Sequence, residues 1–301
     1  MSEKAQENEQ TAHFGPYSFD LSNPEKILFP EDKITKGQLI DYYHTVARFF
    51  ISHAKNHPLA MHRFPDGINQ QGFFQKEVPD YFPNWIDRVE IARKNEPPID
   101  MVTVNKQATL IYLANQACIA PHLLLSSKEN PENPDKLIFD LDPPEGRFDL
   151  VISAARALRK LIEENLGLKA FVMTTGSSGL HVVAPIKPVN DFEKIRQLAR
   201  ETCEELANKE GELYTTEVRK NKRKGRLFLD YLRNSYGQHS IAPYAVRALP
   251  GAPVATPLKW SELDKLTEGS RSFDISNIRQ RLKKSGDPWK SIRRYARTIE
   301  I

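Results

Sequence analysis

The stretch Ile138-Phe139-Asp140-Leu141-Asp142-Pro143-Pro144 alternates apolar and acidic side chains and then stops at a proline pair. In a strand, side chains two apart share a face. Asp140 and Asp142 therefore point one way, and Phe139 and Leu141 point the other way, into a core. Pro143 ends the ladder, which leaves the two carboxylates at a strand end open to solvent. Carboxylates this close repel unless a cation lies between them, and hard oxygen donors suit Mg²⁺ or Mn²⁺. Aspartate before proline is equally common in plain turns, so the pair alone leaves both readings open.

Working outward, residues 137–141 read as a strand, 148–165 as a helix, 170–174 and 180–186 as two strands about a 176–179 turn, 192–209 as a second helix, and 226–232 as a further strand. That order is similar to a split β-α-β unit. The chain is expected to be α+β: mixed sheets flanked by helices, with an RRM-like catalytic half and a β-rich N-terminal half. The divisions expected are a frayed tail over 1–13, then one domain over 14–301. Within it lie an N-terminal subdomain (about 14–135), a catalytic subdomain (about 136–260) and C-terminal helices (about 261–301). In the N-terminal half, 37–56 reads as an amphipathic helix, 59–64, 72–76 and 99–104 as strands, 86–98 as a loop and 108–118 as a helix.

Composition excludes several classes. Among 301 residues, 40% are hydrophobic and 27% charged, enough for a core and too apolar for a disordered chain. Cys118 and Cys203 are the only cysteines. They make neither a disulfide framework nor a zinc site, and suggest a reducing compartment. No apolar run approaches the ~20 residues of a membrane span, and the first dozen residues lack a signal-peptide core, so a cytoplasmic chain is expected. Lys plus Arg number 43 against 39 for Asp plus Glu, so where the charges lie matters more than their sum.

Several segments fit phosphate or nucleic-acid chemistry. Leu227-Phe228-Leu229-Asp230-Tyr231-Leu232 is apolar except for Asp230, and a lone carboxylate there is costly unless paired or metal-bound. A surface-facing aspartate is the simpler alternative. Three strand-borne carboxylates would make a two-metal site for in-line attack on a phosphate. Thr174-Thr175-Gly176-Ser177-Ser178-Gly179-Leu180-His181 is compact enough for its N–H groups to approach a polyphosphate, or is simply a glycine-rich hairpin. The basic run 219–226, with Arg223, leads into the Asp230 strand; Arg247 is a further phosphate candidate. Asn23, Lys26 and Lys36 precede the first long helix and could hold one phosphate. His62-Arg63 and Phe73-Phe74 interleave basic and aromatic groups that suit stacking on bases. Aromatic residues in strands are usually core, so at most one of the two phenylalanines is expected to be exposed.

Taken together, LSNPEKILFP, ITKGQLIDYY, MHRFPDG, GFFQK, IFDLDPPEG, TTGSSGLHVVAPI, RLFLDYLRNS and IAPYAVRA resemble, in this order, the polymerase domain of LigD-type ligases and its stand-alone relatives, within the archaeo-eukaryotic primase superfamily. The resemblance covers roughly residues 20–300. It implies a metal-dependent nucleotidyltransferase that fills gaps and extends ends in non-homologous end joining, favouring Mn²⁺ and ribonucleotides. Asp140, Asp142 and Asp230 match the family's ligands for two Mn²⁺ or Mg²⁺ ions. Phe74, His122, Thr175, Ser177, His181, Arg223 and Arg247 match nucleotide contacts. Asn23, Lys26 and Lys36 match the grip on a downstream 5′-phosphate. His62, Arg63, Arg88 and Arg93 match DNA contacts, the last two with Lys94 in a loop used for end bridging. Where many relatives carry lysine this chain has Ser178, and where many have Lys-Arg it has His62-Arg63. Expected partners are broken or gapped DNA, nucleoside triphosphates, Ku and a DNA ligase, with nucleoid association during repair. No ligase or nuclease motif follows the domain, which implies that those activities sit on other chains or on a segment not included. De novo priming, an inactive end-bridging module and, more weakly, a metal-dependent nuclease are the rival readings.

Overall fold

The structure is a computed structural model and describes residues 10–144 and 146–301. Strands β1 (Gln10–Phe14) and β2 (Tyr17–Leu21) form a hairpin. The tail expected over 1–13 is therefore paired strand from Gln10 onward, while residues 1–9 lie outside the described residues. The hairpin is held because Phe14 and Phe19 pack on the main core. A small ladder follows, β3 (Ile27–Phe29) with β4 (Ile34–Thr35). Helix α1 (Lys36–Ala54) starts at a reciprocal cap: Gln38 N donates to Thr35 Oγ1 at 3.3 Å, and Thr35 N donates to Gln38 Oε1 at 2.8 Å. Its Leu39, Tyr43, Val46 and Phe50 form the buried stripe.

Next come β5 (Pro58–Arg63), β6 (Phe73–Gln75), β7 (Arg88–Arg93), β8 (Glu96–Thr103), α2 (Gln107–Asn115) and β9 (Cys118–Leu124). The expected 86–98 loop is instead mostly the β7–β8 ribbon. Its charges and Pro97-Pro98 are tolerated because β7 is an edge strand, and β8 meets β5 only at Leu59 and Pro58. The helix expected to reach Cys118 ends at Asn115. Ala117 takes φ 54°, the left-handed region, and the chain turns into β9.

The second half carries β10 (Lys136–Asp142), α3 (Phe148–Glu164), β11 (Phe171–Thr174), β12 (Leu180–Pro185), α4 (Phe192–Lys209), β13 (Tyr214–Thr215), β14 (Leu227–Asp230), β15 (His239–Ile241), β16 (Pro257–Leu258) and α5 (Ile278–Ser285). The sheet order is β13-β14-β10-β12-β11-β16; each of its central four strands is antiparallel to its neighbours, so β10 and β11 run parallel with β12 between them, as the split β-α-β reading requires. β15 leaves this half and pairs with β9, extending the other sheet to β15-β9-β5-β8-β7. The expected boundary near residue 135 thus does not confine each strand to its own half. In the C-terminal region, where helices are expected from about 261, the structure has one α-helix, α5, with short 3₁₀ turns around it.

The two faces of β10 explain the packing. Leu137, Phe139 and Leu141 sit in a core with α3 and α4. Ile138, Met173 and Val183, on the other face, join the core of the N-terminal half. The face that carries Asp140 and Asp142 is therefore the one that meets the second sheet.

A candidate nucleotidyl-transfer cleft between the two sheets

Register builds the acidic centre. Asp140 on β10 lies opposite Asp230 on β14 and opposite His181 on β12. Directly opposed residues share a face, so all three side chains meet there, with Asp142 two residues along. Asp140 and Asp230 are buried. His181 Nε2 is 3.4 Å from Asp140 Oδ1. Arg233 Nε donates to Asp140 Oδ2 at 3.1 Å and lies 3.6 Å from Asp230 Oδ2. Leu232 N donates to Asp230 Oδ1 at 2.8 Å.

The charges are unequal. Burial acts against an ionised Asp140, yet His181 and Arg233 outweigh it and hold the carboxyl at about 2. Burial, then repulsion from Asp140 and Asp230, lifts Asp142 to about 6. Burial and Asp140 raise Asp230 as well. Among the described residues no three His, Cys, Asp or Glu side chains form a ready-made cation cage; Arg233 binds Asp140 and lies near Asp230. The donor set nevertheless fits a hard divalent ion: it is all carboxylate oxygen, and its mutual repulsion is what such an ion relieves.

A cleft of about 340 Å³ opens on this centre, lined by Asp140, Asp142, Thr175, Ser177, His181 and Arg247 on one wall. The opposite wall is aromatic. The Phe74 and His62 rings stack at 4.1 Å, and His239 and His122 stand 4.9 and 5.2 Å from Phe74. Burial, with Arg247 nearby, holds His62 at about 4 and His122 well below its ordinary range. Burial and Lys76 hold His239 at about 4. Three neutral imidazoles and a phenyl ring thus face the acids. His122 Nδ1 donates to Ala120 O at 2.9 Å, which leaves Nε2 as an acceptor. Burial lowers the Arg247 pKa against the pull of Asp140. The Thr175 hydroxyl is used internally: it lies 2.9 Å from Ser177 Oγ and accepts from Gly179 N at 3.2 Å. It shapes the turn.

Other expected site residues lie outside the cleft. Arg223 stands over the Phe228 ring at 3.9 Å, and Phe228 is paired with Asp142. Arg63 points to the far face of β5, donating to Gln116 O at 2.9 Å and Gln75 Oε1 at 2.7 Å. Phe73 and Phe74 are 46% and 48% exposed, so both are open, against expectation. Among the described residues β6 is a three-residue strand paired only with β5, so Phe74 rests on His62 with one side of its ring left open and Phe73 projects from the other face. Arg88 donates to Phe82 O at 3.0 Å, and Arg93 is paired with Glu96 on the β7–β8 ribbon.

Asn23, Lys26 and Lys36 gather at the start of α1. Lys26 N donates to Asn23 O and Lys36 N to Lys26 O. Lys26 Nζ holds Asp66 at 2.7 Å, and Lys36 Nζ donates to Ser22 Oγ at 2.9 Å. Burial and the neighbouring Lys26 lower Lys36 to about 8. The sequence alone does not single out Arg233 or His239, nor Ser240, which also lines the cleft. The only local signal was a cation three residues beyond a strand aspartate.

With the geometry in place, comparison settles the family. The profile described as LigD, primase-polymerase domain, matches residues 35–289. The chain belongs to that family. The multifunctional non-homologous end joining DNA repair protein LigD of Mycobacterium tuberculosis is 32% identical over 280 residues, covering 89% of this chain and 36% of that protein. The bifunctional non-homologous end joining protein LigD of Bacillus subtilis is 29% identical over 267 residues, covering 88% of this chain and 42% of that protein. The chain thus spans well under half the length of these LigD relatives. The polymerase domain of Mycobacterium tuberculosis ligase D in complex with DNA matches with a TM-score of 0.85 at 30% identity, over 92% of this chain and 98% of that one. The α+β primase-polymerase fold expected from the sequence is the fold observed. Among the described residues no helix is long and apolar enough to cross a membrane.

Proposed function

We propose that the cleft performs DNA-templated nucleotidyl transfer, filling gaps and extending ends in non-homologous end joining. The observation that carries the reading is the register that sets Asp140 against Asp230, with Asp142 beside them, at the mouth of a cleft walled by Arg247 and Phe74. In this reading a primer 3′-hydroxyl attacks the α-phosphate of a nucleoside triphosphate and pyrophosphate leaves. Asp140, Asp142 and Asp230 would hold two Mn²⁺ or Mg²⁺ ions, which when bound neutralise the phosphate and acidify the hydroxyl. Arg247, with Arg223 at the rim, draws the triphosphate inward, and the compact turn around Gly176 and Ser177 brings its backbone close to it. Phe74 offers a stacking face to a base. The free Nε2 of His122 accepts from a sugar hydroxyl, which favours ribonucleotides.

Asn23, Lys26 and Lys36 lie together at the start of α1, away from the cleft. Lys26 and Lys36 repel each other, and an anion beside them would relieve that repulsion, which supports a grip on a downstream 5′-phosphate. Arg63, Arg88 and Arg93 lie on outer faces where DNA backbone would pass. The partners implied are broken or gapped DNA, nucleoside triphosphates, Ku and a DNA ligase.

The test is primer extension on gapped DNA with Mn²⁺, comparing 5′-phosphate with 5′-hydroxyl downstream strands. Asp140→Ala and Asp230→Ala are expected to fall below about one-thousandth of wild-type extension while still binding DNA. Lys26→Ala with Lys36→Ala is expected to erase the 5′-phosphate preference and spare simple extension. Extension that survives loss of the aspartates refutes the catalytic reading. DNA binding with no extension by the wild-type chain leaves an end-bridging module.

A further inference from the structure

The end of the sheet away from the acids carries a different chemistry. The chain from Trp289 to Ile299 contains Lys290, Arg293, Arg294 and Arg297 and no Asp or Glu. The fold sets two more cations beside them. Arg293 Nη2 donates at 3.2 Å to the carbonyl of Lys55, the residue that ends α1. Lys187, just past β12, donates its backbone N–H to Arg297 O at 2.9 Å. Cations from three separate stretches of chain thus meet on adjoining surface, and all of them are exposed. Among the described residues none of these makes an ion pair, whereas on α4 Arg196, Arg200 and Lys209 each hold a glutamate at 2.6–2.7 Å.

The acids that border this face are engaged elsewhere. Asp287 is held by His53 Nε2 at 2.8 Å, Tyr244 Oη at 2.7 Å and Trp289 N at 2.9 Å. Asp135 Oδ2 lies 2.8 Å from His57 Nε2, and Glu129 accepts from Asn56 Nδ2 at 2.6 Å. The Arg297 guanidinium finds main-chain carbonyls, Arg294 O at 3.3 Å and Ala296 O at 3.1 Å, which leave its charge uncancelled. The backbone beneath is fixed: Trp289 is buried and Ile292 packs on the core of the N-terminal half. The cations therefore repel one another from a held framework, and an anion from outside relieves them. Arg293 adjoins Asp135 and Lys136, at the start of β10, while Asp142 ends that strand. Six steps of ~3.3 Å put the face about 20 Å from the acids. Lys36 and Lys55 stand at the two ends of α1, about 28 Å apart at ~1.5 Å per residue, so this is not the cluster at the start of that helix.

We propose that this face grips the phosphate backbone of duplex DNA, apart from the cleft and without need of a strand end. Charges spread over an open surface match a polyanion, and duplex DNA offers one charge per ~1.7 Å of its axis. Arginine supplies half of them, and its planar fork suits phosphate oxygens. Tyr295 is the exposed ring of the segment, and it leans on Phe171 at 5.6 Å, so the face lacks the row of stacking platforms that a single strand needs. The inference rests on the reading of the cleft only in taking DNA as what this chain acts on.

The experiment is a salt titration of binding, by fluorescence anisotropy, to a dumbbell duplex of about 30 base pairs closed by a loop at each end. The full chain is compared with a variant carrying Lys187→Gln, Lys290→Gln and Arg294→Gln. The variant is expected to bind on the order of tenfold more weakly at 100 mM salt, with a log–log salt slope shallower by about 3. Its kcat and nucleotide KM on saturating gapped DNA should match wild type. A second variant with Arg156→Gln, Arg200→Gln and Lys209→Gln loses the same charge from ion-paired positions and should bind as wild type does. Unchanged affinity and slope in the first variant, or an equal loss in the second, overturns the proposal. Binding of polyglutamate or of phosphatidylserine vesicles as tight as that of the dumbbell at the same salt overturns the assignment to duplex DNA. Should the first variant fail to fold, acetylation footprinting of the wild type decides: protection of Lys187 and Lys290 by the dumbbell supports the grip, and unaltered labelling overturns it. A wild-type chain that extends no primer defeats the reading of the cleft, while the dumbbell, which has no primer terminus, still judges this face.

Discussion

Replacing Asp142 with asparagine should stabilise the metal-free chain while abolishing its activity. Burial and the two neighbouring aspartates lift the Asp142 carboxyl from the usual 3.8 to about 6. At ~1.4 kcal/mol per pKa unit, that gap corresponds to at most about 3 kcal/mol of destabilisation when the group is ionised. The side chain is partly open to solvent, and screening roughly halves the figure, to about 1–2 kcal/mol. The sign follows from proton linkage. A folded-state pKa raised above the unfolded value means that stability is full below about 4 and is lost as pH rises through about 6. The neutral amide carries no such loss. Urea unfolding in EDTA should therefore show the variant ahead of wild type by about 1–2 kcal/mol at pH 8, and level with it at pH 4. Added Mn²⁺ should close the gap by stabilising wild type alone, while the variant extends no primer. A variant less stable than wild type at pH 8, or an equal advantage at pH 4, would refute the claim that repulsion strains this centre.

Two further substitutions test what holds the cleft in shape. At Gly179 an added Cβ would land against the backbone carbonyl of Leu141, well inside van der Waals contact. Gly179→Ala should cost about 3 kcal/mol in urea unfolding and push β12 off β10, with extension lost alongside. Wild-type stability would show that the turn has slack. Asp287 accepts from His53 Nε2 at 2.8 Å, Tyr244 Oη at 2.7 Å and Trp289 N at 2.9 Å. Despite its burial, His53 and Tyr244 hold its carboxyl below the usual range. Asp287→Ala should cost about 3–5 kcal/mol at pH 7. A depressed folded-state pKa means this contribution is present above about 4 and fades as pH falls through the folded value, so the gap to wild type should narrow in acid.

The elements that were legible in the sequence are those whose packing is local. α4 is legible at 192–209 because its apolar residues keep helical spacing; the structure adds a cap, Asp191 accepting from Lys194 N at 2.9 Å. β10 was read because it alternates under a helix pair and stops at Pro143. β9 was not, because Cys118–Leu124 is buried on both faces. A continuous apolar run after a helix looks like more helix until a left-handed residue, here Ala117, breaks it. The β7–β8 ribbon was missed for the opposite reason: its exposed edge tolerates charge and proline, the usual marks of a loop. The site divides along the same line. Asp140, Asp142 and Asp230 stand out in the sequence because each is an acid in an apolar strand. Arg233 and His239 do not, because each looks ordinary until β14 lies beside β10 and β15 beside β9.

The acids also help to select the pairing that makes them useful. Leu227 and Leu229 of β14 enter the core under α3 and α4, while Asp230 faces the cleft. A slip of one residue between β14 and β10 would exchange the two faces. Asp230 would then enter the apolar core beside Leu137 and Phe139 with no cation in reach, and the leucines would face the cleft. The desolvation of one unpaired carboxylate there costs several kcal/mol, comparable with the whole margin by which a domain is stable. In the observed register the same carboxylate meets Arg233 and the backbone N–H of Leu232. The charge that strains the centre at neutral pH thus penalises the wrong sheet more heavily than the right one. Removing it should loosen the specificity of β14 pairing even where it raises stability.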